Sequence, residues 1–119
     1  MTDCLFCRMV AGEIPVDAVH ETERTLAFRD IAPQAPTHVL VVPKDHHATA
    51  GALVGADPAL MAEVVAAAHA VAVAEGLASA DGPEPGYRLV ANTGPAAGQS
   101  VHHLHLHVLG GRDLGWPPG

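Results

Sequence analysis

His103-Leu104-His105-Leu106-His107-Val108-Leu109 decides how this chain is read, because polar and apolar residues alternate from His103 through Val108. Successive side chains of a strand point to opposite faces, so this spacing puts three imidazoles on one side and Leu104, Leu106 and Val108 on the other. It predicts a strand over 100–109 carrying a row of rings about 6–7 Å apart, with the apolar side packed under a helix. Nine histidines against six Lys and Arg single out histidine chemistry. An imidazole with a reference pKa of about 6.5 supplies a neutral nucleophile or a hydrogen-bond donor near pH 7. Three aligned rings can share work on one phosphate. The competing readings are a metal-binding strand and a histidine-rich surface.

The loop upstream favours an anion. Asn92, Gly94, Gly98, Gln99 and Ser100 place small residues, exposed amides and a hydroxyl at the mouth of the histidine strand. Backbone amides in such loops form anion-binding concavities. The net charge of −7 argues against nucleic acid as a partner and leaves an anionic substrate to be held by local donors.

Outward from the motif, the chain reads as a single α+β domain over 1–119. With 49% hydrophobic residues it can build a core, and no apolar run approaches the ~20 residues of a membrane span. The beginning of the sequence has no basic or apolar leader, which predicts a cytoplasmic protein. Thr2 or Asp3 caps a short helix over 4–11 that Gly12 and Pro15 terminate. Strands follow over 16–21, 25–30 and 38–42, the last halted by Pro43. Asp57 and Pro58 open a long helix over 58–75 that Gly76 closes, with Leu60, Val64, Ala67 and Val71 on one stripe and Met61, Val65 and Ala68 widening it. Strands over 87–92 and 100–109 complete a set of five.

Cys4 and Cys7 are three apart at the start of the short helix, hence on one side of it. A structural disulfide is out of place in the cytosol, and zinc suits the pair better, although two ligands are half a site.

Gly98-Gln99-Ser100-Val101-His102-His103-Leu104-His105-Leu106-His107-Val108-Leu109 resembles the signature of the histidine-triad (HIT) family. Asp30-Ile31-Ala32-Pro33-Gln34-Ala35-Pro36-Thr37-His38 is similar to the second block of its Hint branch, the nucleoside phosphoramidate hydrolases. Gly110-Gly111-Arg112 through Trp116-Pro117-Pro118-Gly119 is similar to the C-terminal block. The resemblance implies a HIT-like fold, a five-stranded antiparallel sheet with one long and one short helix, continued across a homodimer. It also implies cleavage of AMP–amine or acyl–AMP conjugates by way of a nucleotidyl-histidine.

In that scheme His105 attacks phosphorus, His107 contacts the phosphate and assists the leaving group beside Ser100, and His38 and His103 belong to a relay behind the nucleophile. Asn92, Gly98, Gln99 and the loop amides hold phosphate oxygens, while Asp30 accepts the ribose hydroxyls. Leu5, Phe6, Met9, Ile14, Ile31 and Leu40 match the purine slot, and each is equally readable as plain core. The resemblance also completes a structural zinc site of Cys4, Cys7, His46 and His103, with His47 and His102 as lesser candidates and no organic cofactor. His103 is then asked to be both ligand and relay. A sister activity on dinucleoside polyphosphates, nucleotidyl transfer, and a non-catalytic zinc or nucleotide-binding module are the alternatives. His20, His69 and His102 receive no catalytic role, and the Trp116 segment is expected to dock toward a partner's site.

Overall fold

The computed structural model describes residues 3–119. Helix α1 (Leu5–Val10) precedes the hairpin of β1 (Ala18–Glu21) and β2 (Thr25–Arg29), which leads into β3 (Thr37–Pro43). Helices α2 (Ala50–Ala56) and α3 (Pro58–Ala74) follow, then β4 (Tyr87–Val90), a single 3-10 turn at Pro95–Ala97, and β5 (Leu106–Gly110). The strands form one sheet in the order β1-β2-β3-β5-β4, with every neighbouring pair antiparallel. No helix among the described residues is long and apolar enough to cross a membrane.

The two faces of the sheet bury different clusters. Ala27, Val39, Val41, Leu106 and Val108 pack against Leu60, Val64, Ala67, Ala68, Val71 and Ala72 of α3. Alternation puts Leu26, Phe28, Leu40 and Val42 on the opposite face, where Phe6 of α1 covers them. β3 is buried along its whole length, as expected of a central strand covered on both sides. α3 begins as predicted: Asp57 accepts a hydrogen bond from the Leu60 amide at 3.1 Å and Pro58 stands in the first turn. Gly76 ends it at φ +78°, a conformation that costs other residues a clash of Cβ. Val65, expected to widen the stripe, is exposed.

Three local expectations change. Asp3 does not cap α1; the N-cap is Cys4, whose Sγ accepts the Cys7 amide at 3.4 Å, and Thr2 lies outside the described residues. A second short helix, α2, occupies a stretch with no polar–apolar stripe to announce it; Thr49 caps it at the Ala52 amide and Leu53 alone is buried. The predicted strand over 100–109 narrows to β5, beginning only at Leu106. The reason is that the Leu104 amide donates to the His47 carbonyl at 2.6 Å, which takes residues 100–105 away from the ladder with β3. Leu104 is nevertheless buried in the α3 cluster, as are Leu106 and Val108.

Leu60 is fully buried at the start of α3. Leu60→Ala is expected to lower unfolding free energy by about 2–5 kcal/mol, through lost burial and the cavity left behind. Urea denaturation measures this; a loss under about 1 kcal/mol would show that α3 is not fastened there.

Candidate active site and metal centre

A cavity of about 830 Å³ opens on the α1 side of the sheet. Leu5, Phe6 and Met9 of α1, Phe28 and Leu40 of the sheet, and Ile31 at its rim give it an apolar wall. Asp30, Asn92, Gly98, Ser100, His105 and His107 line the polar end. The apolar rim is open to solvent, with Ile31 fully exposed and Leu5 40% exposed. Arg29 borders the cavity, but its guanidinium is bound to Glu75 at 2.7 and 3.2 Å, so no lining Lys or Arg has an uncommitted charge for a phosphate.

The histidines fall into two groups, and backbone hydrogen bonds fix a tautomer for each. A neutral imidazole has one N–H and one lone pair, so the partner of one nitrogen settles the other. The His103 carbonyl lies 2.8 Å from His105 Nδ1, which must therefore carry the proton; its Nε2 keeps a lone pair. The Gln34 amide donates to His38 Nδ1 at 3.0 Å, so the His38 proton is on Nε2, 2.9 Å from His107 Nδ1. His107 Nδ1 is then the acceptor, and its proton sits on Nε2. That atom is buried without a hydrogen-bond partner, a donor kept dry in the cavity wall. The rings of His105 and His107 lie 5.1 Å apart, and the Phe6 ring meets His105 edge-on at 5.0 Å.

Burial pushes the His107 imidazole down to about 4, with His105 and His38 adding to the shift and Asp30 opposing it. His107 is neutral at pH 7.

His103 does not stand in the row. Its ring is fully buried, with Nε2 donating to the Pro43 carbonyl at 2.8 Å. The lone pair on Nδ1 faces Cys4 Sγ at 3.2 Å and Cys7 Sγ at 3.5 Å, and His46 Nδ1 lies 3.4 Å from Cys7 Sγ. Burial holds the His103 pKa below its ordinary range, which keeps that lone pair available. Zn–S bonds of about 2.3 Å and Zn–N bonds of about 2.0–2.1 Å at tetrahedral angles demand sulfur–nitrogen separations of about 3.6 Å. The four donor atoms all lie within 4.8 Å of one another, so Cys4, Cys7, His46 and His103 fit a tetrahedral zinc with no vacant position. The Pro43 carbonyl is the outer partner that a zinc-binding histidine needs.

Asp30, His38 and His107 also bring donor atoms within 4.8 Å of one another. A metal there would need the lone pair of His38 Nε2, and hence a proton on Nδ1 facing the Gln34 N–H. That repulsion makes the second group a hydrogen-bond relay rather than a metal site.

Two expectations for the site change with the geometry. Gln99 is buried and its side chain is taken up by the loop: Oε1 accepts the Gly94 amide, while Nε2 donates to the Ala48 and Val101 carbonyls. It shapes the loop from behind and does not line the cavity. Ile14 is half-buried and outside the cavity wall. His47 contributes its carbonyl to Leu104 and no ring nitrogen to the cysteine cluster, and His102 is exposed. His69 pairs with the Tyr87 hydroxyl at 2.8 Å on the surface. The sequence reading missed Pro15, Val16, Asp17, Phe28, Arg29 and Val101 as cavity residues. Their signal was position: Pro15 to Asp17 follow the helix that forms the wall, Phe28 and Arg29 lead into Asp30, and Val101 adjoins Ser100.

Two measurements follow. Cys4→Ser should lower bound zinc from about one per chain to well under half by metal analysis; unchanged zinc content would rule out this set of ligands. For His107, the unfolded ring takes a proton near pH 6.5 whereas the folded one resists to about 4, so folding stability falls as pH drops through that interval. Urea midpoints at pH 7 and pH 4.5 should show the loss, and His107→Gln should reduce it.

The HIT domain model matches residues 11–114 of this chain. A HIT-like protein of Synechococcus elongatus, itself uncharacterized, is 48% identical over 117 residues, covering 98% of this chain and 97% of its own. The 14 kDa zinc-binding protein of Zea mays is 44% identical over 115 residues, covering 97% and 87%. The crystal structure of a HIT family hydrolase from Legionella pneumophila superposes with a TM-score of 0.90 at 50% identity, covering 98% of this chain and all of that one. Sheet, relay and comparisons agree: the chain belongs to the HIT domain family.

Proposed function

We propose that this protein hydrolyses purine nucleoside 5′-phosphoramidates and acyl-adenylates to AMP through a nucleotidyl-His105 intermediate. One observation carries the reading. The cavity holds an imidazole with an available lone pair beside another with an unpartnered N–H, and backbone groups enforce both states. Nucleophile and donor are thus prepared before substrate arrives. The hydrolase of Legionella pneumophila, so similar over its full length, supports a hydrolytic reaction.

In the first step His105 Nε2 bonds to the α-phosphorus as the P–N bond breaks, and the amine leaves with the bonding pair. It takes a proton from water at the open mouth beside Ser100. His105 becomes cationic, and its Nδ1–H remains on the His103 carbonyl, which stabilises the positive ring. The His107 Nε2–H donates to a phosphate oxygen, and Asn92 and Ser100 complete the polar end, whereas the Ala97, Gly98 and Gln99 amides already donate to carbonyls within the loop. In the second step water attacks phosphorus and gives its proton to the hydroxide left when the amine was protonated, the pair returns to Nε2, and AMP departs. Asp30, which lines the cavity, receives the ribose hydroxyls: Oδ1 already accepts the Ala32 amide at 2.8 Å and Oδ2 lies 3.5 Å from His38 Nε2, and each oxygen keeps a further lone pair. The purine lies against Leu5, Phe6, Met9, Ile31 and Leu40. Zinc would be held by Cys4, Cys7, His46 and His103 and would supply a cross-link there, apart from the reacting phosphorus. The protein works in the cytosol as a homodimer, for which β4 offers an outer strand of the sheet.

Incubating the protein with an AMP–amine conjugate and quenching in acid should leave AMP on His105 by peptide mass mapping. His105→Gly should lower kcat/KM by roughly 10³-fold or more, and His107→Ala by roughly 10²-fold. Label on another residue, or full hydrolysis by His105→Gly, would sink the proposal. Faster turnover of a diadenosine polyphosphate than of the AMP–amine would move the assignment to that sister activity.

A further inference from the structure

The hydrogen-bond relay does not stop at His38. The amide that fixes His38 belongs to Gln34, in the loop between β2 and β3, and that loop is gripped from the C-terminal segment. Arg112 Nη2 donates to the Gln34 carbonyl at 2.9 Å, and Nη1 donates to the Asp113 carbonyl at 3.0 Å. Beside it Gly111, at φ +91°, runs so close to the loop that a Cβ there would lie 2.8 Å from Pro36 Cβ. Further along, Arg88 of β4 donates to the Gly115 carbonyl at 2.8 Å and holds the far end of the segment down. A continuous series of contacts therefore runs from Arg112 to Gln34, from the Gln34 amide to His38, and from His38 to His107.

We propose that Arg112, with Gly111 beside it, is a positioning residue for the relay: it holds Gln34 so that its amide selects the tautomer of His38 and thereby keeps the proton of His107 on Nε2. Pro33 and Pro36 have no amide hydrogen to fasten the loop, so its anchorage depends on the few donors around it. The Gln34 side chain donates only to the Ala32 carbonyl, within the same loop. Arg112 is the tie from outside. Without it Gln34 is less well held, His38 is free to exchange its proton between ring nitrogens, and the His107 donor becomes a mixture. Arg112 lies on the surface and does not border the cavity, so its effect reaches substrate only through these groups.

This inference rests on the reading of His107 as donor to the substrate phosphate, and the test separates the two. Ring-nitrogen NMR of the full-length protein reports which nitrogen of His38 and His107 carries the proton, with or without turnover. In the native protein both should be Nε2–H. Arg112→Ala should give mixed tautomers at both rings and lower kcat for an AMP–amine about tenfold, with KM changed less than twofold. Arg112→Lys, which keeps a donor, should recover most of kcat and the native tautomers. Gly111→Ala, which forces the segment away from Pro36, should act in the same direction as Arg112→Ala. Native ring tautomers in Arg112→Ala, whatever the rate, would overturn the proposal, as would a rise in KM with kcat intact. If the native protein does not turn over the AMP–amine but the ring nitrogens respond as described, the positioning role stands and the proposed activity falls.

Discussion

An imidazole has one proton and two nitrogens, and in this protein the backbone decides where each proton goes. The Pro43 carbonyl takes the Nε2–H of His103, the His103 carbonyl takes the Nδ1–H of His105, and the Gln34 amide turns His38 the other way. From these contacts follow the lone pair that faces the cysteines, the lone pair left for the cavity, and the donor on His107. Side chains alone would leave each ring free to exchange tautomers. Carbonyls and amides fixed in the fold do not rotate, which makes them the stronger determinant.

His103 shows how one residue meets two demands. Its ring turns to Cys4 and Cys7 while its carbonyl accepts the Nδ1–H of His105. The proposed roles of ligand and relay are compatible, because they use different atoms of His103. The arrangement needs the chain to leave the sheet before Leu106, which the bond from Leu104 to His47 brings about. The same departure places α1 over the site, since Cys4 and Cys7 bracket Phe6 and Phe6 touches both His103 and His105. A zinc cross-link there would hold the apolar wall of the cavity and the carbonyl behind His105 in one unit.

The electrostatics suit a chain of net charge −7. Such a protein repels anions at a distance, and the one arginine bordering the cavity is paired with Glu75. On the proposed function, recognition of a phosphate falls to neutral donors at short range: Asn92, the Ser100 hydroxyl and the His107 N–H, whose ring burial keeps neutral.

The sequence by itself determined the elements whose signals are local: the capped and Gly-terminated α3, the β-branched central strand, the cysteine pair, and the cluster of histidines near an anion-friendly loop. It also determined which residues of 103–109 face the helices, because Leu104, Leu106 and Val108 keep their alternation even where the strand does not. Only the tertiary structure decided what each histidine does. Equal spacing made His103, His105 and His107 look alike, whereas their roles differ through partners about 60 to 100 residues away or through the backbone itself. Gln99 and Ile14 shift for the same cause: a residue type states what a side chain can bond, and the fold around it states what lies within reach. Hydrogen-bond partners are set by distance in space, and periodicity along a chain does not contain that distance.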